Sequence, residues 1–312
     1  MKLLQIGSPK SGNYWLYKIV RSTYDLAGWP QPTYVEKQPI YQEALTWQLS
    51  YPEQAQTDVI DIEEDGVYWR ISSRHRELIN DLDAYLAQGS HVWSHSDFCS
   101  HSLDVMRHFD RIVYILRDPR DVLISLAKFL MTPYMQEYYP HFYASADEFI
   151  EKKLEGNITH WLRHVGFYLR HAREYNMHVM FYENMIADLP GEISRFHAYL
   201  GLEPDADRVE AVRQQVTFDA MKGDSPGHVR QGRAYGWTKS LTSEQQARVM
   251  RVAEPLLSML NYPLSLEECA TKLPSLPENL HYDPPPRYQP PRPPLWHRVV
   301  GRLRRELSRV RS

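Results

Sequence analysis

Short apolar runs alternate with segments of helical periodicity over most of this chain. Four runs have the length of buried strands: 3–6, 91–94, 111–116 and 178–183. Four longer segments repeat apolar residues at three- and four-residue spacing and predict helices: 15–27, 73–87, 146–175 and 188–200. Strands that alternate with helices predict an α/β fold, a single domain with a central parallel sheet flanked by helices.

Two aromatic stretches interrupt this alternation. Residues 29–70 are broken by prolines and lack periodicity, so we expect irregular structure there. Residues 134–143 are rich in tyrosine and phenylalanine and predict a lid or loop beside a pocket. Aromatic faces on loops suit a pocket that stacks on rings or sugars. A satellite hydrophobic core under long loops is the alternative interpretation.

The first strand runs into a loop of small and polar residues that opens a helix. Gly7 and Gly12 permit a tight turn, the first amides of the helix point at the loop, and Lys10 adds a positive charge. The pattern predicts a P-loop-like nucleotide-binding site for a phosphate group. The sequence does not match the generic motif of nucleotide-triphosphate loops, because Asn13 and Tyr14 occupy the positions of its Lys and Ser/Thr. A surface turn ahead of an amphipathic helix is the alternative.

A second phosphate-binding pattern follows the strand at 111–116. Arg117 ends this strand, Asp118 is placed to cap the next helix with Pro119 at its first position, and Ser125 follows within the helix. A guanidinium group with a nearby hydroxyl can bind a phosphate.

These two patterns resemble those of the sulfotransferases that use 3'-phosphoadenosine 5'-phosphosulfate. Residues 9–15, with a lysine inside the loop and Trp15 closing it, resemble the family's 5'-phosphosulfate loop. The eight-residue spacing of Arg117 and Ser125 matches the family's 3'-phosphate motif.

The resemblance also points to a general base. Ser94-His95 resembles the segment that carries this base in the family, with Trp93 where the family has lysine. A histidine just after a strand lies at the edge where open parallel sheets place their sites. His101 and His108 are rival bases, and they rank lower because they fall in the helix expected after the strand.

Further elements of the resemblance concern the adenine ring and the 3'-phosphate. Tyr182 resembles the tyrosine that reaches the adenine, and Phe218 resembles the phenylalanine that flanks the ring together with the loop tryptophan. Arg230-Gln231-Gly232 resembles the segment that folds over the 3'-phosphate, although Gln231 replaces a lysine.

The resemblance implies transfer of a sulfuryl group from 3'-phosphoadenosine 5'-phosphosulfate to a hydroxyl of a saccharide, glycolipid or phenol. The catalytic residues it implies are Lys10, His95 and Ser125. The residues it implies for co-substrate binding are Lys10, Ser11, Gly12, Asn13, Tyr14, Trp15, Arg117, Ser125, Tyr182, Thr217, Phe218, Met221, Arg230, Gln231 and Gly232. An ATP-dependent phosphotransferase and a non-catalytic nucleotide-binding adaptor are the alternatives.

Composition narrows the class of protein further. The net charge of −3 argues against a nucleic-acid partner, and two distant cysteines fit a reducing, cytoplasmic location. No metal site is expected, because no cluster of histidines and acids has ligand spacing. The family's dimerisation pattern is absent from 239–247, so a homo-oligomer stays an open question.

The C-terminal residues differ from the rest of the chain. We expect a sulfotransferase domain over 1–283, a stiff proline-rich linker over 284–294 and a basic amphipathic helix over 295–312. The last segment carries six arginines against one glutamate, with apolar residues at helical spacing. This pattern is typical of a helix that lies on a membrane surface, and a helix that docks on protein is the alternative.

Overall fold

A seven-stranded sheet forms the centre of the protein, whose computed structural model describes residues 1–224 and 232–289. The strands are β1 (Leu3–Gly7), β2 (Asp58–Glu63), β3 (Gly66–Ile71), β4 (His75–Leu78), β5 (His91–Ser94), β6 (Arg111–Leu116) and β7 (His178–Phe181). Their order is β4-β3-β2-β5-β1-β6-β7. The strands from β2 to β7 in this order are parallel, and β3 and β4 extend one edge as antiparallel strands.

Helices cover both faces of the sheet. They are α1 (Asn13–Leu26), α2 (Tyr41–Ala44), α3 (Leu82–Leu86), α4 (Ser102–Met106), α5 (Pro119–Leu130), α6 (Pro133–Tyr138), α7 (Ala146–Arg170), α8 (Tyr182–Ala187), α9 (Leu189–Leu200), α10 (Ala206–Gln215), α11 (Phe218–Asp224), α12 (Trp237–Ser240) and α13 (Ser243–Met259). Alternate residues of β6 enter two hydrophobic clusters, one built with α5, α7 and α13 and the other with α1, α9 and α10. The prediction of one α/β domain with a central sheet is confirmed.

The prediction was wrong at the antiparallel edge of the sheet. Residues 29–70 were expected to be irregular, yet they contain β2 and most of β3. The helix expected over 73–87 is instead strand β4 followed by the short helix α3. The apolar stripe misled the prediction because Leu78 belongs to the exposed edge strand, whereas Asp81 caps a new helix by accepting a hydrogen bond from the Ala84 amide (2.9 Å).

Three smaller boundaries also differ from prediction. The long helix α7 ends at Arg170 rather than at residue 175, because residues 171–176 form a turn that closes at Asn176 with φ of 45°. Strand β7 stops at Phe181, so Tyr182 and Glu183 begin α8. His101 precedes α4 and His108 follows it, so neither lies within the helix that was expected to hold both.

The described part of the C-terminal region lies along α7. Tyr282 and Pro284 pack against Gly166, where an added Cβ would come within 2.7 Å of the tyrosine ring. Arg163 donates a hydrogen bond to the Pro285 carbonyl (2.7 Å). The predicted linker from residue 290 onward and the predicted helix over 295–312 lie outside the described residues. None of the described helices is long and apolar enough to cross a membrane.

A buried glutamate secures the turn after β6. Glu183 is 1% exposed and accepts hydrogen bonds from the Asp118 amide (2.9 Å) and the Tyr262 hydroxyl (3.2 Å). Burial, followed by the charge of Asp118, raises the pKa of Glu183 from its ordinary value of 4.5 to about 8. The side chain is therefore protonated at neutral pH and acts as a neutral partner of the turn.

Glu183→Gln tests this protonation state. Because the folded-state pKa is raised, wild-type protein takes up a proton on folding between about pH 4.5 and 8, and its stability falls as pH rises through this range. Glutamine does not titrate, so the variant should gain roughly 2 kcal/mol or more relative to wild type between about pH 5 and pH 8. Urea unfolding at the two pH values measures this gain. Glu192→Gln, at another buried glutamate paired with Arg195 (2.7 Å), is the control, and parallel pH profiles for wild type and Glu183→Gln would contradict the assignment.

Candidate functional site

A cavity of about 580 Å³ opens at the carboxyl ends of the central parallel strands. Most of the residues predicted from sequence line it: Lys10, Gly12, Asn13, Tyr14, Trp15, His95, Arg117, Ser125, Tyr182, Phe218, Met221 and Gly232. Ser11 is buried within the first loop, and Thr217 immediately precedes α11. Arg230 and Gln231 lie outside the described residues. The structure thus brings the predicted elements together at the edge where open α/β sheets place their sites.

The loop between β1 and α1 is held in an unusual conformation. Lys10 has φ of 68° and Gly12 has φ of 99°, both in the left-handed region. A side chain at Gly12 would come within 2.7 Å of the Tyr182 ring, so this position requires glycine. Asn13 donates from Nδ2 to the Ser8 carbonyl (2.8 Å) and closes the loop. A lysine beside a helix N-terminus is an arrangement that favours binding of an anion, and a strained conformation is common at functional sites.

Polar atoms buried in this loop lack partners. Among the described residues, neither the Ser11 Oγ nor the Asn13 Oδ1 has a hydrogen-bond partner. The first amides of α1 likewise have no carbonyl one turn earlier within the helix. Since buried polar groups are normally hydrogen-bonded, these atoms indicate that the loop is built around a polar ligand.

His95 follows β5 directly and lies beside the end of β1. Its Nδ1 is 2.6 Å from the Gly7 carbonyl, which can only accept, so Nδ1 carries the hydrogen. The lone pair of the neutral ring is therefore on Nε2. Burial, with the nearby charges of Arg70 and Lys10 acting in the same direction, lowers the pKa of His95 to about 4. The ring is neutral at pH 7 and can accept a proton.

Lys10 lies across the cavity from the helix α5. Its Nζ stands 3.7 Å from the centre of the Phe129 ring, at the last turn of that helix. This cation–π contact positions the Lys10 ammonium group at the cavity.

Arg117 occupies the end of β6. Its Nη2 donates to the Arg233 carbonyl (3.0 Å), and its guanidinium group stands 4.1 Å from the centre of the Tyr182 ring. The Nε atom is buried and has no hydrogen-bond partner among the described residues. Ser125, two turns into α5, lines the same part of the cavity.

A carboxylate beside Arg117 went unrecognised in the sequence. Asp121 Oδ2 lies 3.6 Å from Arg117 Nη2, and the carboxylate accepts hydrogen bonds from the Gly236 amide (3.3 Å) and the Trp237 amide (2.8 Å). It connects the Arg117 guanidinium group to the segment that includes Gly236 and Trp237. The repeated charges of residues 117–121 were a usable signal for such a role.

Three aromatic rings cluster beside the loop. Trp15 lies 4.6 Å from Phe218 and 5.7 Å from Tyr182, measured between ring centres. The Trp15 indole donates to the Val216 carbonyl (2.9 Å), which fixes its orientation. Gly232, with φ of 54°, leaves room for the Phe218 ring. Trp15 and Phe218 contact each other directly, so no ring-sized gap separates them in this structure.

The other side of the cavity contains aromatic residues from the two stretches that were predicted to border a pocket: Tyr51, Tyr134 and Tyr139. It also contains residues that sequence reasoning did not assign to the site: Ser50, Gln54, Arg70, Trp93 and Phe129. A second cavity of about 560 Å³, lined by Trp47, Leu49 and Pro133 among others, adjoins this wall and shares Ser50, Tyr51, Phe129 and Tyr134 with it. The described residues contain no group of three or more histidines, cysteines and acids that could hold a metal ion.

Comparison with known proteins is consistent across sequence and structure. Residues 2–261 match the family model described as "Sulfotransferase domain". The chain is 26% identical over 229 residues to Sulfotransferase 1E1 of Rattus norvegicus and 26% identical over 172 residues to Amine sulfotransferase of Oryctolagus cuniculus. These alignments cover 71% and 49% of this chain and 66% and 56% of the two relatives, so the chain spans less than two thirds of their lengths.

Solved structures share the fold. Retinol dehydratase in a complex with retinol and PAP superposes with a TM-score of 0.59 at 18% identity, covering 84% of this chain and 83% of that chain. Mouse sulfotransferase SULT7A1 complexed with PAP gives 0.55 at 16% identity, with 82% and 83% covered. Because the family model matches most of the sequence and the fold agrees, this chain belongs to the sulfotransferase family.

Proposed function

We propose that this protein transfers a sulfuryl group from 3'-phosphoadenosine 5'-phosphosulfate to a hydroxyl group of an acceptor. The observation that carries the proposal is the meeting, in one cavity, of the Lys10 loop, the neutral His95 and Arg117. The described relatives in complex with PAP, the product nucleotide, support the choice of co-substrate. Aromatic walls suit an acceptor that presents a ring, as saccharides, glycolipids and phenols do.

The residues present fit this co-substrate. The buried donors without partners, Ser11 Oγ and Arg117 Nε, belong to the loop and strand end proposed for its two phosphate-bearing ends. Ser125, and Arg230 with Gln231 and Gly232, would complete the 3'-phosphate contacts, while Thr217 and Met221 support the Phe218 ring. Trp15 and Tyr182 would contact the adenine. If the adenine ring is held between Trp15 and Phe218, these two side chains must move apart by about 3.5 Å, the thickness of one ring.

His95 acts as the general base in this proposal. Its Nδ1 hydrogen is committed to the Gly7 carbonyl, so Nε2 takes the proton of the acceptor hydroxyl as the new oxygen–sulfur bond forms. The co-substrate supplies the activated sulfuryl group. Lys10 and the first amides of α1 stabilise the negative charge that the leaving 5'-phosphate gains as the sulfur–oxygen bond breaks.

Nucleotide binding tests the proposed function. Wild-type protein should bind adenosine 3',5'-bisphosphate more tightly than adenosine 5'-monophosphate and ATP. Arg117→Ala should weaken the bisphosphate by about 2 kcal/mol, roughly 30-fold, because a charge-assisted contact is lost, and leave the monophosphate unchanged. Calorimetric titration measures both affinities. Arg213→Ala, which removes an exposed arginine paired with Glu210, is the control. An equal loss for both nucleotides, or a preference for ATP, would refute the assignment.

His95→Asn tests the general base. Asparagine can still donate toward the Gly7 carbonyl but offers no basic nitrogen, so turnover should fall by about 100-fold or more while bisphosphate affinity stays constant. Because the pKa of His95 is lowered to about 4, kcat/KM of the wild type should stay level from neutral pH to about pH 5 and decline below it. Labelled sulfuryl transfer measures both. His108→Asn, at a rival base paired with Asp83, should behave as wild type. Full activity of His95→Asn would exclude this base.

We further propose that this protein is cytoplasmic and that its segment 295–312 contacts membranes. The two cysteines, Cys99 and Cys269, are unpaired, as a reducing compartment allows. Residues 282–289 run along α7 toward its N-terminus, since Tyr282 packs at Gly166 and Tyr288 at Gly156. Because α7 leads back to the start of β7, its N-terminus lies toward the edge of the sheet that carries the cavity. The basic segment therefore follows a chain directed toward the site.

Vesicle sedimentation tests the membrane contact. The full chain should sediment with vesicles of anionic phospholipid at low salt and be released at high salt, since exposed charges are screened. A chain ending at Pro294 should stay in the supernatant and retain adenosine 3',5'-bisphosphate binding. Vesicles of neutral phospholipid are the control. Failure of the full chain to sediment at low salt, or loss of folding on truncation, would favour a helix that docks on protein.

A further inference from the structure

Arg70 places a positive charge beside two apolar residues of the cavity wall, Val59 and Trp93. Strand pairing aligns Arg70 with Val59, and Val59 with Trp93, so the three side chains share one face of the sheet. Val59 and Trp93 are buried, and the Arg70 side chain is only 19% exposed. A guanidinium group at such a position carries a desolvation cost that its contacts must offset.

One carboxylate orients this guanidinium group without enclosing it. Arg70 Nε donates to Asp61 Oδ1 (2.8 Å), and Nη1 makes a long contact of 3.4 Å to the Ser72 carbonyl. Asp61 is shared, because its Oδ2 lies 3.4 Å from the Arg76 Nε. No second carboxylate pairs with Arg70 among the described residues. The side chain that Asp61 holds in place therefore presents its outer nitrogens to the cavity that it lines.

Arg70 and His95, the proposed base, line the same cavity. Trp93 shares a row with Arg70, and its ring centre lies 5.2 Å from that of His95, so Arg70 lines the same part of the cavity as the proposed base. Neutral polar groups lie on the same side: Tyr134 hydroxyl bonds to Gln54 Nε2 (3.1 Å) and to Ser72 Oγ (2.9 Å). This part of the cavity combines aromatic faces with the Arg70 guanidinium group and several neutral hydrogen-bonding groups.

We propose that Arg70 selects acceptors that carry an anionic group, a carboxylate or a phosphate, on the ring that bears or neighbours the reacting hydroxyl. This inference rests on the proposed function. The planar guanidinium group matches both anions with two parallel hydrogen bonds, and its contact with Asp61 fixes its plane in advance. The aromatic wall stacks on the ring. An anionic acceptor would bring a second negative charge near the transferring sulfuryl group, and the positive charge of Arg70 would offset it.

Matched pairs of hydroxyl compounds test this selection. The protein is saturated with adenosine 3',5'-bisphosphate and titrated with 4-hydroxyphenylacetate and its methyl ester, and then with 4-nitrophenyl glucuronide and 4-nitrophenyl glucoside. Wild type should bind the anionic member of at least one pair about tenfold more tightly. Arg70→Gln should abolish the difference and leave the neutral members and the bisphosphate unaffected, while Arg70→Lys should keep part of it. Arg76→Gln, which removes the other arginine beside Asp61, should keep the full difference.

Several results would overturn the proposal. They are absence of binding by both anionic probes at millimolar concentration, equal affinity within both pairs for wild type, and equal weakening of charged and neutral members by Arg70→Gln. If Arg70→Gln fails to fold, Arg70→Lys decides, because a lysine at this position loses the two-bond geometry and should reduce the preference. Failure of wild type to bind the bisphosphate would instead refute the proposed function itself.

Discussion

The hydrogen bond from His95 Nδ1 to the Gly7 carbonyl is the contact on which the site depends. Parallel pairing of β5 with β1 brings Ser94 opposite Ile6, so the residues that follow the two strands are neighbours. The bond at 2.6 Å fixes the tautomer of the ring and links it to the glycine at which the loop turns. This one hydrogen bond thus sets which nitrogen of His95 is basic and how far the ring lies from the loop between β1 and α1.

A compact set of charges organises the opposite side of the cavity. Asp118 caps α5 and also holds Arg120, which is 1% exposed and stands 3.7 Å from the centre of the Trp237 ring. Asp121 holds the backbone of the same tryptophan. Arg120 and Asp121, both in α5, contact the same residue, Trp237. These contacts fix the surroundings of Arg117. Such support holds the Arg117 guanidinium group, which is proposed above to bind the 3'-phosphate, in one orientation.

The parts of the fold that could be predicted were those with strong local signals. The buried runs of β1, β5, β6 and β7 and the cap at Asp118 are encoded by adjacent residues, and the loop around Lys10 is encoded by its glycines. Strand β4 was missed because it is an exposed edge strand with charged residues. Strands β2 and β3 were missed because charged residues interrupt their apolar runs. Arg70 was missed with them, since its place in the cavity wall depends on pairing between strands rather than on any local pattern. Asp121 required the position of a segment more than a hundred residues away.

The electrostatics of the cavity favour the neutral form of His95, the residue proposed above as the base. Lys10, Arg70, Arg117 and Lys128 line the cavity, and Asp121 is the single carboxylate among the described residues that line it. This positive surrounding, added to burial, keeps His95 neutral, although the net charge of the whole chain is −3. The co-substrate proposed above is anionic and would offset these charges, but burial, the larger cause of the low pKa of His95, would remain. In the proposed reaction, the charges that attract the co-substrate therefore also help to keep His95 Nε2 unprotonated and able to accept the proton of the acceptor hydroxyl.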